Sequence, residues 1–257
     1  MSGTRFKARF FWRPFLVLLA FAAVGLGIAG CGSLQRSLLY YPSHDSTTHG
    51  LAEWKAGDRV IGYTRPSPRP RNVWLLTHGN AGQAATRAYA LPSFSPEDAV
   101  YILEYPGYGL RPGTPSEAAF NEAAREAYEL LRARFPDIPV CAVGESIGTG
   151  PASWLATLPH PPDKIVLIVP FDVLSAVARH HYAFLPVGLL LRDNWNNIES
   201  LKGYRRPVEI FAAKGDTVIP IIHARALAAA RPGAILHELE GGHNDWSRSG
   251  QVRIRNE

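Results

Sequence analysis

Short apolar segments and stretches of helical composition alternate through most of the chain. Apolar runs of this length, bounded by glycine, proline or polar residues, are typical of buried strands. They lie at Val60–Tyr63, Val73–Thr77, Ala99–Tyr105, Val140–Gly144, Ile165–Pro170, Val208–Ala213 and Ile235–Leu239. Helical composition is found at Gln83–Leu91, Ser116–Phe135, Ile147–Leu158 and Ile221–Arg231. The alternation predicts an α/β fold, a mostly parallel sheet with helices on both faces.

The first 58 residues do not follow this alternation. Four basic residues precede the apolar run 15–28, which is shorter than the ~20 residues that span a bilayer and which ends in small residues. A basic segment followed by such a run predicts a signal peptide over residues 1–30. We expect residues 31–58 to form an N-terminal arm, and residues 59–257 to form one α/β domain of ordinary size.

The segment from Ile28 to Cys31 resembles the lipobox of bacterial lipoproteins, in which the signal is cut before a cysteine that is then acylated. We therefore predict lipidation at Cys31, with an uncleaved anchor as the alternative. Either arrangement places the domain at a membrane of the bacterial cell envelope. Gly32, rather than aspartate, follows the cysteine, and by analogy with lipoproteins this favours the outer over the inner membrane.

Charge and cysteine content narrow the classes of function. The formal charge is +5, but Arg5, Lys7, Arg9 and Arg13 lie in the N-terminal segment, and without them the charge falls to +1. A nearly neutral domain lacks the basic surface that nucleic acid requires, so we expect no nucleic-acid partner. Cys141 is the second of two cysteines and lies in an apolar run, which predicts a core position and no disulfide or metal site.

The strongest chemical signal is Gly-Glu-Ser-Ile-Gly at residues 144–148, between a predicted strand and a predicted helix. It fits the pattern G-x-S-x-G, whose glycines allow a sharp turn that raises the serine above the sheet. The N-terminus of the following helix supplies backbone donors and favours negative charge. Ser146 is therefore the predicted nucleophile. The alternative is a structural turn whose serine only caps the helix.

A serine hydroxyl is a weak nucleophile at neutral pH until an imidazole takes its proton. Of nine histidines, we expect His243 to be this base, because it follows the last strand in a glycine-containing loop. The acid should lie between serine and histidine in the chain. Asp216 is favoured, since it directly follows the strand Val208–Ala213 and a glycine. Asp172, after the preceding strand, is the alternative.

The negative charge that develops during acyl transfer needs preorganised hydrogen-bond donors. Residues 78–82, His-Gly-Asn-Ala-Gly, follow the strand Val73–Thr77. A backbone N–H at Asn80, or at neighbouring Ala81, would converge there with the N–H of Ile147. We expect His78 to support this loop. The alternative is a plain turn that uses glycine for its dihedral angles.

These stretches together resemble the α/β-hydrolase family, and within it the membrane-associated serine hydrolases with a small cap and an oxyanion loop of H-G-N-A-G type. The resemblance covers residues 36 to 250. Its matching stretches are Leu39–Pro42, His78–Gly82, Tyr105–Gly109, Gly144–Gly148, Gly215–Asp216 with Pro220, and Gly242–Asp245. It implies a catalytic domain with nucleophile Ser146, acid Asp216, base His243 and an oxyanion hole at Asn80 and Ile147.

Two positions depart from the family pattern. Position 145 is glutamate, where relatives more often carry histidine, arginine or tyrosine, and the loop before the acid carries Lys214 where relatives often have histidine. Neither change removes a catalytic atom. Glu145 either disfavours anionic substrates through its charge or pairs with a nearby cation, and the sequence leaves both readings open.

Residues 171–204 lie where this fold inserts its cap, so we expect a short cap there. The apolar run 182–191 within it either lines an acyl pocket or forms a helix that packs on the core.

Enzymes of this family are esterases, lipases, thioesterases or, less often, peptidases. We expect a serine hydrolase that cleaves an ester or thioester bond of a small-molecule or lipid acyl substrate through an acyl-enzyme. No cofactor or metal is expected, because side chains and backbone amides supply every group needed. The alternatives are a serine peptidase of the same fold and a non-catalytic envelope lipoprotein that binds a partner. The sequence leaves the oligomeric state undetermined.

Overall fold

The computed structural model describes residues 39–184, 187, 191–248 and 250–256. The predicted signal peptide, Cys31 and residues 185, 186 and 188–190 of the apolar run lie outside this part, so lipidation at Cys31 stays a prediction. None of the described helices has the length and apolarity needed to cross a bilayer. Residues from Tyr40 onward form one compact unit.

Each predicted apolar segment forms a strand. The strands are β1 Tyr41–Pro42, β2 Ala52–Ala56, β3 Arg59–Arg65, β4 Val73–Thr77, β5 Ala81–Gly82, β6 Ala99–Leu103, β7 Val140–Glu145, β8 Ile165–Ile168, β9 Val208–Ala213 and β10 Ile235–Leu239. Among the described residues, eight of them form a sheet of order β10-β9-β8-β7-β4-β6-β3-β2, while β1 pairs with β5. In this sheet β3 pairs antiparallel with β2 and with β6, and the other five strand pairs are parallel. The predicted mostly parallel α/β fold is confirmed.

Part of the predicted arm lies in the sheet. Strand β2, which falls within residues 31–58, is the edge strand and runs antiparallel to β3. Its one buried side chain is Trp54, whose ring packs 4.9 Å from that of Tyr101. A single apolar residue among charged neighbours is too short a pattern to show a period of two, so this strand was not predicted from the sequence.

The helices are α1 Glu117–Arg134, α2 Thr149–Trp154, α3 Leu174–His181, α4 Asn197–Leu201 and α5 Ile221–Ala230, with 3₁₀ helices at Ala84–Ser93, Ser146–Gly148 and Leu155–Thr157. The longest, α1, is capped at its N-terminus by Ser116, whose Oγ accepts the Ala119 N–H at 3.1 Å. Its buried residues recur at helical spacing, so one face packs on the sheet. They are Phe120, Asn121, Ala123, Ala124, Ala127, Tyr128 and Leu131.

The central strands β4, β6, β7 and β8 are buried along their whole length, as expected of a parallel sheet covered on both faces. Trp74 of β4 is fully buried, and its indole N–H donates to Asp98 Oδ2 at 2.9 Å. Cys141 of β7 lies in this core, as predicted. Burial raises the pKa of its thiol to about 12, so the thiol stays protonated at neutral pH.

The order of the strands determines where a site can form. From β4 the chain passes to β6 on one side and then to β7 on the other. At such a switch point the loops that follow the two central strands diverge and leave a crevice at the carboxyl edge of the sheet. The pairing of Thr77 with Gly144 sets the two strand ends level. The loops after β4, β7, β9 and β10 all open at this edge.

Candidate active site

Ser146 lies on a sharp turn at the end of β7, with φ of 55°. Left-handed backbone at a residue other than glycine costs about 1–3 kcal/mol and persists only where its surroundings fix it. Here Thr149 Oγ1 donates to the Ser146 carbonyl at 2.7 Å. A Cβ at Gly148 would lie 2.1 Å from the Thr77 carbonyl oxygen, and one at Gly144 would lie 2.6 Å from the Gly148 carbonyl oxygen. The two glycines therefore let the turn approach the neighbouring backbone.

We expect Gly148→Ala to lower the free energy of unfolding by about 3 kcal/mol. The backbone at Gly148 has an ordinary φ of −63°, so the cost is steric, from the contact with β4. Urea unfolding would measure it. Gly203→Ala is the matched control, because no atom lies within 4 Å of a Cβ built there. Equal stability of the two variants would contradict the close approach.

Ser146, His243 and Asp216 lie together as one hydrogen-bonded series. His243 Nε2 is 2.9 Å from Ser146 Oγ, and His243 Nδ1 is 2.7 Å from Asp216 Oδ2. A carboxylate only accepts hydrogen bonds, so the proton of the neutral imidazole lies on Nδ1. This leaves Nε2 free to accept the serine proton. The arrangement is suited to activating a hydroxyl as a nucleophile.

The Asp216 carboxylate is buried and held by its own loop. Its Oδ1 accepts the backbone N–H groups of Val218 and Ile219, each at 2.8 Å. Only Oδ2 is directed at the histidine, so the carboxylate has one fixed orientation. The loop after β9 thus supplies both the acid and the donors that orient it.

Asp172, the alternative acid, pairs with a different histidine. Its Oδ1 is 2.8 Å from Nδ1 of His223, a buried residue of α5. The structure thus brings Asp216 to His243 and Asp172 to His223. Both aspartates follow parallel strands at the same sheet edge, which is why the order of residues alone left both open.

The loop predicted to supply the oxyanion donors lies against the serine turn. A Cβ at Gly79 would lie 3.6 Å from Ser146 Cβ, so Asn80 follows a residue in contact with the serine. The Asn80 side chain is engaged elsewhere, accepting from the Tyr41 N–H and the Tyr108 hydroxyl. His78 is buried, with Nδ1 2.7 Å from the Gly79 carbonyl oxygen, and supports the loop as expected.

Glu145 pairs with a cation, which was one of the two readings left open. Its Oε2 lies 3.9 Å from Arg87 Nε, and both side chains are buried or nearly so. Arg87 could not be predicted as the partner, because the two residues are distant in the chain. The only hint was a carboxylate at the end of an otherwise apolar strand.

The described residues contain no group of three or more histidine, cysteine, aspartate or glutamate side chains placed to hold a metal ion. The polar groups that these residues place at the carboxyl edge include the serine, histidine and aspartate series, the Gly79 loop beside it, and the pair of Asp172 with His223. What the arrangement offers chemically is therefore proton transfer to and from a positioned hydroxyl.

No protein-family model matches the chain. An uncharacterized protein of Mycobacterium tuberculosis is 32% identical over 250 residues, covering 90% of this chain and 88% of the relative. The human alpha/beta hydrolase domain-containing protein 17B is 30% identical over 204 residues, covering 75% of this chain and 67% of the relative. Lysophosphatidylserine lipase ABHD12 of Rattus norvegicus is 30% identical over 176 residues, covering 60% of this chain but only 44% of that lipase.

Solved structures share the fold at low sequence identity. The Pyrococcus furiosus esterase Pf2001 aligns with a TM-score of 0.60 at 14% identity, covering 83% of this chain and 92% of the esterase. The protein TT1662 of Thermus thermophilus aligns with a TM-score of 0.59 at 16% identity, covering 79% of this chain and 93% of that protein. Since the curated relatives share sequence across most of the domain as well, the chain belongs to the α/β-hydrolase family.

Proposed function

We propose that the protein is a serine hydrolase that cleaves an ester or thioester acyl bond, with Ser146 as nucleophile, His243 as base and Asp216 as the acid that orients the base. The observation that carries the proposal is the series of hydrogen bonds from Asp216 through His243 to Ser146. The strained turn at Ser146 supports it, because such a backbone is retained where its surroundings and its use require it.

In the proposed reaction, Ser146 Oγ attacks the acyl carbon while His243 Nε2 takes the hydroxyl proton. The carbonyl oxygen becomes an oxyanion, which the backbone N–H groups of Asn80 and Ile147 stabilise. The tetrahedral intermediate collapses to an acyl-enzyme, and the leaving group departs with the proton from His243. Water, activated by the same imidazole, then attacks the acyl carbon and releases the acid and free Ser146.

A small-molecule or lipid acyl ester fits the surroundings of the site. Tyr182 and Phe184, at the end of α3, are exposed, with Phe184 82% accessible. The end of α3 contacts the acid loop, the loop after β9 that carries Asp216, because His181 Nε2 is 2.8 Å from the Val218 carbonyl oxygen. Val218 itself is half exposed. Apolar side chains around the acid loop are suited to contact with an acyl chain.

The test is labelling of the full-length, detergent-solubilised chain with a fluorophosphonate, followed by a series of p-nitrophenyl esters from acetyl to palmitoyl. We expect one adduct, mapped to Ser146 by peptide mass spectrometry, and hydrolysis of at least the shorter esters. Heat-denatured protein is the control and should not label. A folded chain that fails to label would favour a non-catalytic binding role, and faster cleavage of peptidyl p-nitroanilides than of any ester would favour a peptidase.

A further inference from the structure

The carboxylate of Glu145 lies directly before the serine and contacts three separate segments. Its Oε2 accepts the backbone N–H of Gly79 at 3.2 Å, in the oxyanion loop. Its Oε1 accepts the hydroxyl of Tyr89 at 2.7 Å and the indole N–H of Trp246 at 3.1 Å. Trp246 belongs to the loop that carries His243. One side chain thus connects the serine turn, the oxyanion loop and the histidine loop.

Glu145 is ionised in this environment. Its side chain is 7% exposed, and burial raises the pKa of the carboxyl group. Arg87, the hydroxyl of Tyr89, the indole of Trp246 and the Gly79 N–H lower it by more, so the pKa lies below its ordinary value. A buried charge that loses such partners is strongly destabilised. Movement of Glu145 or of its partners is therefore costly, and the hydrogen bonds around this carboxylate hold a fixed geometry.

Arg87 and Glu145 hold the two polar backbone groups of the same residue, since Glu145 accepts the Gly79 N–H and Arg87 donates to the Gly79 carbonyl oxygen. Arg87 Nη2 donates to the Gly79 carbonyl oxygen at 3.3 Å and also to the Ala81 carbonyl oxygen. His78 Nδ1 contacts the same Gly79 oxygen at 2.7 Å. In a trans peptide the C=O and the following N–H point in opposite directions. Fixing the Gly79 oxygen therefore fixes the direction of the Asn80 N–H, the predicted oxyanion donor.

We propose that Glu145 and Arg87 are positioning residues that set the direction of the Asn80 N–H and tie the oxyanion loop to the histidine loop. This rests on the proposed function, because it presumes that Asn80 stabilises an oxyanion. Position 145 is the variable residue between the first glycine and the serine of the G-x-S-x-G motif. In this chain it acts on the reaction through the backbone, without touching the substrate.

Glu145→Gln is the sharpest test, because an amide keeps the shape of the side chain but has only one accepting oxygen. That oxygen stays with Tyr89 and Trp246, which are two donors, and the amide nitrogen is then turned toward the Gly79 N–H and Arg87. Two donors facing each other push the loop away. We expect kcat for p-nitrophenyl butyrate to fall about 100-fold with KM unchanged.

A second readout separates positioning from a general structural role. An alkyl trifluoromethyl ketone forms a hemiketal oxyanion with an active-site serine, so its inhibition constant should rise in parallel with the fall in kcat/KM. The matched control is Glu209→Gln. Glu209 also pairs with a cation while largely buried, at 2.7 Å from Lys164, but at the opposite end of the sheet. Glu209→Gln should lower the free energy of unfolding by an amount comparable to Glu145→Gln and leave kcat unchanged.

Arg87→Lys tests the other half of the pair and serves if Glu145→Gln does not fold. Lysine keeps the charge beside Glu145 but cannot reach two carbonyl oxygens with one planar group, so kcat should again fall with KM unchanged. The inference is overturned if either folded variant keeps wild-type kcat, or if Glu209→Gln loses kcat equally. A wild-type chain that neither labels nor hydrolyses esters would instead overturn the proposed function.

Discussion

We expect Ser146→Ala to lower kcat for an ester substrate by about a million-fold, His243→Ala to lower it to a similar extent, and the double variant to be no slower than either single one. The reason is that the hydroxyl and the imidazole act as one unit through the 2.9 Å contact between Ser146 Oγ and His243 Nε2. Without the imidazole the hydroxyl is not activated, and without the hydroxyl the imidazole has no nucleophile to activate. Single-turnover kinetics with p-nitrophenyl butyrate would measure the three losses.

Two control variants test whether these losses of kcat are specific to Ser146 and His243. Ser153→Ala removes a buried serine hydroxyl of α2 that finds no hydrogen-bond partner within the described part of the chain, and it should leave kcat unchanged. His237→Ala removes a histidine of β10 that pairs with Glu209. Activity retained in Ser146→Ala would place the nucleophile elsewhere. A double variant far slower than both single variants would show that the two residues act separately.

Much of the fold and the serine turn could be predicted from the sequence because their signals are local. Apolar runs of strand length and the helix behind Ser116 depend on neighbouring residues, and the structure places them within a few residues of the prediction. The pattern G-x-S-x-G needs only a strand before it and a helix after it. The edge strand Ala52–Ala56 was missed because its single buried residue carries no periodicity.

Contacts between distant residues could not be predicted in the same way. Asp172 and Asp216 both follow parallel strands. The packing of α5 places His223 beside Asp172, and the loop after β10 places His243 beside Asp216. Likewise, the sequence showed a carboxylate at position 145 but not its partner. The identity of that cation depends on how the 3₁₀ helix carrying Arg87 folds back over the loop.

Asp216→Asn should lower kcat about 10,000-fold while leaving the fold intact. The Val218 and Ile219 N–H groups keep an oxygen at the Oδ1 position, so the new amide nitrogen takes the Oδ2 position and faces His243 Nδ1. That nitrogen donates, and Nδ1 must then accept, which shifts the imidazole proton to Nε2. An Nε2 that already carries a proton cannot take one from Ser146 Oγ.

Asp172→Asn is the matched control for this change. It alters an aspartate that is also 2.8 Å from a histidine Nδ1, but the histidine is His223. We expect ester hydrolysis and fluorophosphonate labelling close to wild type in Asp172→Asn, and both nearly lost in Asp216→Asn. The reverse result would make Asp172 the acid of the series and would mean that the loop after β8, rather than the loop after β9, orients the base during turnover.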